Sequence, residues 1–341
     1  MLTLRTAWRL GRILIAYRRR AEIVRPLPIR LWVESASCCN LRCSMCPNKD
    51  MAPEQKKVLP FEVFTRIVDE ARHFANDMYL HHRGEPLLNP RLFEMIRYAR
   101  EAGIRTRFHT NGTLLGEERV EPLLDARPDL VSFSVDGFDK ETYESIRVGA
   151  DFEQTVGNIL RFARARKARG ARRPYLVVEK IRFIHSRVGE TAAHVESLRR
   201  QFLEAGVDEV IEKEEYVWAT ADAPERDGPR TCSVCTFPWY AMVVCADGTV
   251  TPCPQDFWAQ MAMGNAGTTS LRDIWNGEAY RDLRRRFRTD VDSLPLCRNC
   301  DRLHRKTVGG IPFQYMVTFL VDQLVGYNRF LRTRLGTSER N

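Results

Sequence analysis

Three cysteines fall on one short stretch near the start of the chain, Cys39-Asn40-Leu41-Arg42-Cys43-Ser44-Met45-Cys46. Thiolates are soft donors, and three of them on a single loop can each hold a different iron of a [4Fe–4S] cube while the fourth iron keeps no protein ligand. An iron left open in this way is a place for chemistry. A zinc knuckle is the competing use of such a loop, but zinc takes four ligands and no histidine follows at a fitting distance. A second group comprises Cys232, Cys235, Cys245, Cys253, Cys297 and Cys300, with no cysteine between Cys46 and Cys232. A structural zinc ribbon and an iron–sulfur site are both open to that group.

Either use requires reduced thiols and a scaffold. The 341 residues, 44% of them hydrophobic, can bury one large core and a smaller one. No apolar run reaches the ~20 residues of a membrane span: Arg12 and Arg18 bracket Ile13–Tyr17, and Asp322 and Gln323 interrupt the apolar stretch near the C-terminus. The same arginines, with no small-residue cleavage site after them, argue against a signal peptide. A cytoplasmic protein is expected, whose clustered cysteines hold metal rather than form disulfides. Lys and Arg number 53 against 44 acidic residues, a net charge of +9. That excess permits a nucleic-acid partner, but no reading module accompanies it and none is expected.

Short β-type runs alternate with longer helical patterns between residues 28 and 212, the texture of parallel βα units. The expected strands are Ile29–Ser35, Met78–His82, Ile104–His109, Leu130–Val135, Tyr175–Ile184 and Val207–Ile211; the expected helices are Phe61–Phe74, Arg91–Ala102, Glu118–Asp125, Phe152–Ala168 and Thr191–Ala205. Six such units predict an α/β fold, a partial (β/α)6 TIM-like barrel, with chemistry at the C-terminal strand ends. The cysteine loop directly follows the first strand. From Asp227-Gly228-Pro229 onward the texture turns to glycine, proline and cysteine, with a hairpin about Asp247-Gly248 and a helix near Leu271–Phe287. The expected organisation is a basic helical extension (1–27), the barrel (28–228), a small cysteine-rich domain (229–304) and a helical tail (305–341).

A CxxxCxxC run after the first strand of such a barrel resembles the radical S-adenosylmethionine (SAM) superfamily. The resemblance implies a cluster on Cys39, Cys43 and Cys46 whose open iron binds the amino and carboxylate groups of SAM. An electron from a donor such as flavodoxin or ferredoxin then cleaves the sulfonium, and the 5′-deoxyadenosyl radical abstracts a substrate hydrogen. Gly84-Glu85-Pro86-Leu87, ending the second strand, is similar to the family's GGEP motif, whose backbone meets the methionine amino group; Arg83 stands where the first glycine is usual. Thr110-Asn111-Gly112 ends the third strand as family members commonly do. In Ser134-Val135-Asp136-Gly137, Ser134 and Asp136 resemble ribose-side contacts. Met45 occupies a position often aromatic in the family and near the adenine, where a thioether can cover a ring face or simply pack.

The later cysteines resemble the Twitch/SPASM extension of this superfamily. Cys235 precedes Phe237-Pro238-Trp239, a glycine precedes Cys253 in Asp247-Gly248-Thr249-Val250-Thr251-Pro252-Cys253, and Gly264-Asn265, Trp275-Asn276 and Cys297-Arg298-Asn299-Cys300 follow. No cysteine follows Cys300, so the shorter form with one auxiliary [4Fe–4S] cluster is implied, on Cys235, Cys253, Cys297 and Cys300. Cys232 is the alternative to Cys235. Cys38, Cys232 and Cys245 remain; a free cysteine is usually a small buried hydrophobe, while the sharper role is that Cys232 or Cys245 returns a hydrogen atom to a substrate radical.

That return would make the protein an epimerase. If the substrate radical instead loses a proton and passes an electron to the auxiliary cluster, it is a dehydrogenase. The resemblance points to a carbinol carbon of a sugar, aminocyclitol or related natural product, thus a small-molecule or glycan substrate. A maturase of a ribosomal peptide is the alternative within enzymes, and a non-enzymatic iron–sulfur or zinc binding protein the alternative outside them. His82, Glu179, Arg182 and Glu214 are polar residues at expected inner strand positions. Near the N-terminus, Arg5, Arg9 and Arg12 recur at helical spacing, with Leu4, Trp8, Leu14 and Ile15 on other faces. Packing on the barrel and peripheral contact with an anionic membrane are both open to such a helix.

Overall fold

The computed structural model describes residues 4–182, 191–214, 235–298, 300–303, 307–308 and 311–312. Helix α1 (Leu4–Arg18) leads into strand β1 (Arg30–Val33). Then come α2 (Phe61–Ala71), β2 (Asp77–Tyr79), α3 (Leu92–Glu101), β3 (Arg105–Thr110), α4 (Glu117–Ala126), β4 (Leu130–Ser134), α5 (Lys140–Ile146), α6 (Phe152–Ala168), β5 (Tyr175–Arg182), α7 (Ala192–Ala205) and β6 (Glu209–Glu214). Helical spacing accounts for the helices: in α2 the buried residues Phe64, Ile67, Val68 and Ala71 form one stripe. Their ends are chemically marked. Asp139, Asp151 and Thr191 cap α5, α6 and α7 by accepting the backbone N–H of the third residue on, and Gly206 closes α7 at φ +112°.

Strands β1 to β6 pair in sequence order, all parallel. Period-two alternation then gives each strand two faces. One carries Leu31, Val33, Met78, Leu80, Phe108, Val131, Phe133, Leu176, Val178 and Val210 into the core under the helices. The other presents Arg30, Trp32, Tyr79, Arg107, His109 and Glu179 to the barrel interior, where Trp32 stacks on Tyr79 at 4.8 Å. A partial barrel is the observed architecture, and among the described residues no pairing closes β6 onto the opposite edge.

Beyond residue 235 a short helix α8 (Phe237–Tyr240) leads to β7 (Ala241–Val244), β8 (Thr249–Thr251) and β9 (Gly264–Asn265). These strands continue the barrel sheet rather than start another: β7 pairs parallel with β1, Arg30 opposite Ala241, and β8 and β9 extend it antiparallel. The single helix expected near Leu271–Phe287 is two, α9 (Leu271–Trp275) and α10 (Glu278–Thr289). The break at Asn276-Gly277 is a tether. The Asn276 side chain accepts Val24 N–H at 2.9 Å and donates to Val24 O at 3.1 Å, and Trp275 Nε1 donates to Pro26 O at 3.0 Å.

Helix α1 packs on the body through buried Leu10, Ile13 and Tyr17, the last edge-on to Trp239 at 5.7 Å. It also leaves Leu4, Trp8, Leu14 and Ile15 exposed. No helix among the described residues is long and apolar enough to cross a membrane. The expected tail helix, with Phe313, Met316, Phe319, Leu320 and Leu324, lies outside the described residues, as does Cys232.

Candidate active site

The loop bearing Cys39, Cys43 and Cys46 leaves the C-terminal end of β1 and is tied down from several sides. Arg42 N–H donates to Val148 O at 2.9 Å and Ser44 N–H to Ile146 O at 2.8 Å. The Asn48 amide donates to Ser37 O at 2.7 Å and to Arg83 O at 2.9 Å. Burial pushes the Cys39 thiol up to about 12, and the neighbouring Cys43 and Cys46 add to this, so the three sulfurs lie within electrostatic reach of one another. Burial likewise raises Cys43, against the pull of Arg147, whose Nη1 lies 3.9 Å from its Sγ. Three largely desolvated thiols that repel one another's charge are costly to ionise unless a cation takes it.

Glu85 fastens this loop to the strand ends beside it. Its N–H donates to Cys38 O at 2.8 Å, while its buried carboxylate accepts Leu87 N–H at 3.0 Å, Thr110 Oγ1 at 2.7 Å and Asn111 N–H at 2.8 Å. Asn111 then donates from its amide to Asn40 Oδ1 at 3.0 Å. Gly84 passes so close that a Cβ there would meet Cys38 O at 2.4 Å and Ala36 O at 2.6 Å. Only glycine fits. Asp136, just past β4, is buried and pairs with Arg147 through Nη2 at 2.5 Å and Nε at 2.7 Å. Its Oδ1 is a buried oxygen with no partner.

Inward from these groups lies a polar row. His81 and His109 stack at 4.2 Å, and His109 N–H donates to His81 Nδ1 at 3.1 Å. His109 Nδ1 is 3.6 Å from Glu179 Oε2, and Lys213 Nζ is 2.7 Å from the same oxygen. Deeper in the barrel, Arg30 forks onto Asp77 at 2.6 and 3.0 Å, and Arg107 donates to the Tyr79 hydroxyl at 3.3 Å.

The later cysteines form a separate pocket. Cys235, Cys253, Cys297 and Cys300 line one concavity, walled by Phe237, Leu283 and Phe287. Burial and the other three sulfurs raise the Cys297 thiol, and burial raises Cys235 against the pull of Arg302. Gln255 N–H points at Cys253 Sγ at 3.4 Å. Four sulfurs in an apolar pocket suit a cluster closed by its own ligands. Cys245 is apart from them, wholly buried beside Glu34 and His82.

A family model described as the radical SAM superfamily matches residues 33–172, and one described as an iron–sulfur cluster-binding SPASM domain matches residues 232–301. The chain belongs to the radical SAM superfamily. It is similar to a tungsten-containing aldehyde ferredoxin oxidoreductase cofactor-modifying protein of Pyrococcus furiosus, 26% identical over 79% of this chain and 86% of that protein. An AdoMet-dependent heme synthase of Methanosarcina barkeri is 34% identical over 37% of this chain, about a third of its own length (36%). Among solved structures, BtrN in complex with AdoMet and 2-DOIA is 21% identical with a TM-score of 0.51, covering 81% of this chain and 93% of that one. Streptococcus suis SuiB bound to precursor peptide SuiA is 14% identical with a TM-score of 0.62, covering 86% and 74%. At these identities the structural likeness is one of fold.

A radical SAM protein with a SPASM domain uses SAM, a [4Fe–4S] cluster and further iron–sulfur binding. The residues present suit those groups: a trio of thiols on one loop, a backbone brought close by Gly84, and a buried Asp136 oxygen without a partner. Two residues expected to touch the cofactor are seen bracing the loop: Glu85, and Asn111 through its side chain. Pro86 is buried at the start of a short turn, Ser134 ends β4 opposite Glu179, and Met45 is half-buried between Cys43 and Cys46.

Sequence reasoning missed His81, His109, Lys213 and Arg147. At the second strand it chose His82, one residue off: His81 shares the inner face with Tyr79, while His82 Nε2 lies 3.0 Å from Pro254 O. Counting by twos from Tyr79 and Arg107 would have found both inner histidines. Glu179 is where expected; the side chains of Arg182 and Glu214 lie outside the described residues.

Proposed function

We propose that this radical SAM enzyme removes a hydrogen atom from a carbinol carbon of a small hydroxylated substrate, a sugar, glycan or aminocyclitol-like metabolite, and completes the reaction as a dehydrogenation. The observation that carries this reading is the row of His81, His109, Glu179 and Lys213 inside the barrel. When bound, SAM and the clusters supply a carbon-centred radical and a one-electron acceptor. The side chains must then hold hydroxyls and remove a proton.

They are suited to that. Burial alone would raise the Glu179 carboxyl, but the Lys213 ammonium 2.7 Å away outweighs it and holds it well below the usual carboxylate range. An ionised carboxylate near His109 Nδ1 favours the proton on that nitrogen and leaves Nε2 to accept one from a substrate hydroxyl. His81, kept neutral by burial, accepts at Nδ1, so its own proton sits on Nε2 as a donor. Epimerisation would need a hydrogen donor instead; of the two candidate cysteines, Cys245 is fully buried and Cys232 lies outside the described residues. None of the nine described cysteines is paired in a disulfide, which suits a cytoplasmic chain served by flavodoxin or ferredoxin.

The test is anaerobic reconstitution with dithionite, SAM and a panel of sugars, aminocyclitols and peptides, reading 5′-deoxyadenosine. The expected result is stimulation by a polyol, with H109Q still cleaving SAM but losing product by ~10²-fold or more. Stimulation only by peptides would refute the substrate class, and deuterium entering recovered substrate from D2O would replace dehydrogenation by epimerisation. We also infer that Leu4, Trp8 and Ile15, with Arg12 over the Trp8 ring at 4.4 Å, rest on an anionic membrane surface. W8S/I15S should then lose co-sedimentation with phosphatidylserine vesicles; undiminished binding would count against the contact.

A further inference from the structure

Glu34, one residue past β1 and fully buried, holds two parts of the chain at once. From the segment before Gly84 its Oε1 accepts Arg83 N–H at 2.8 Å and Arg83 Nε at 3.0 Å, and its Oε2 accepts Arg83 Nη2 at 2.6 Å. From the turn between β7 and β8, Oε2 also accepts Ala246 N–H at 2.9 Å. Arg83 reaches further: its Nη1 donates to Phe257 O at 3.4 Å. His82 Nε2 meets Pro254 O at 3.0 Å. Two consecutive residues just upstream of Gly84 therefore grip the stretch that begins at Cys253.

Glu34, His82 and Cys245 also bring a carboxylate, an imidazole and a thiol within 4.8 Å of one another. Those are metal-ligand types, yet the guanidinium of Arg83 already occupies the carboxylate on both oxygens. A second cation there would face that charge at short range in a low-dielectric interior. The trio is an ion-paired knot, and what it joins is informative.

We propose that Arg83 is a positioning residue that couples the auxiliary-site loop to the SAM-facing segment, so that filling one site firms the other. This rests on Gly84-Glu85-Pro86 facing SAM and on Cys253 ligating the auxiliary cluster. Ligation of Cys253 fixes the carbonyls of Pro254 and Phe257. These hold His82 and Arg83, and the buried, charge-assisted fork on Glu34 passes that constraint to Gly84, which lies against Cys38 O. A glycine in place of Arg83 has no side chain with which to do so.

The experiment is a double-variant cycle on the full chain, reconstituted anaerobically: wild type, R83G, C297A and R83G/C297A. Titration calorimetry gives the SAM Kd, and iron analysis checks that C297A falls from about eight to about four irons per chain. Each single variant is expected to bind SAM about tenfold more weakly, and the double variant no more than about threefold worse than the weaker single. R83K, which keeps the charge but loses the fork, should fall between. In C297A the amides of Gly84, Glu85, Leu87 and Leu88 should exchange hydrogen faster, a readout that stands if R83G does not fold. C297A binding SAM within twofold of wild type, or losses that multiply in the double variant, would overturn the coupling. Failure of wild type itself to bind SAM would instead overturn the site assignment beneath it.

Discussion

One added methyl at Gly84 should disable SAM binding. A Cβ at this position would lie 2.4 Å from Cys38 O and 2.6 Å from Ala36 O and the Ser37 carbonyl carbon, against the 3.4 Å at which ordinary contact begins. All three are backbone atoms, so no rotamer change relieves the overlap, and the cysteine loop and the Gly84 segment must part by about 1 Å. The hydrogen bond from Glu85 N–H to Cys38 O, 2.8 Å long, spans that gap. Overpacking of this kind costs about 1–3 kcal/mol, and the strained bond is worth ~1 kcal/mol more. A misplacement near 1 Å between two halves of one site is enough for a loss of ~10²-fold. G84A should therefore bind SAM about a hundredfold more weakly by calorimetry and melt earlier than wild type. The control is G157A, in the middle of α6 with nothing within 4 Å of the new Cβ, expected to gain about 0.5–1 kcal/mol from helix propensity alone. If G84A binds SAM within twofold of wild type while G157A behaves as stated, the close approach does not position the cofactor and the reasoning fails.

Two further outcomes follow from charge. The Cys39 thiol is raised by burial from 9.0 to about 12 in the apo fold; the folded state then binds its proton more tightly than the unfolded one. That contribution is whole below pH 9 and lost as pH climbs toward 12, by on the order of 1 kcal/mol per unit. Apo protein should thus lose melting temperature above pH 9 while cluster-loaded protein does not, and a flat apo profile would contradict the burial of this thiol. Removing the guanidinium in R147Q leaves Asp136 buried without its partner, a loss of about 3–5 kcal/mol. The compensating R147Q/D136N pair should recover much of it in thermal melts, and no recovery would mean that Arg147 acts mainly on Cys43.

Six strands and their helices were legible because a buried parallel strand is a short apolar run and an amphipathic helix repeats every 3.6 residues. Their boundaries drifted where side chains override propensity. Residues Ala75 to Tyr79 are all wholly or largely out of solvent, but β2 itself is only Asp77–Tyr79, since the chain leaves the sheet once His81 and His82 find different partners. The expected helix at residue 271 broke where Asn276 is claimed by the backbone of Val24. Polar tethers between residues so far apart leave no trace in local periodicity.

Cysteine spacing by itself pointed to the first site, because Cys39, Cys43 and Cys46 on one short loop cannot lie far from one another. The sequence also determined that Gly84 and Asp136 follow strand ends, from where they must face the same rim as that loop. Only the tertiary structure decided that Cys235, Cys253, Cys297 and Cys300 share a pocket, that His81 rather than His82 looks inward, and that Arg83 is spent on Glu34. These are contacts between segments that meet only after the sheet has wrapped, and a one-residue change in strand register would exchange one face for the other.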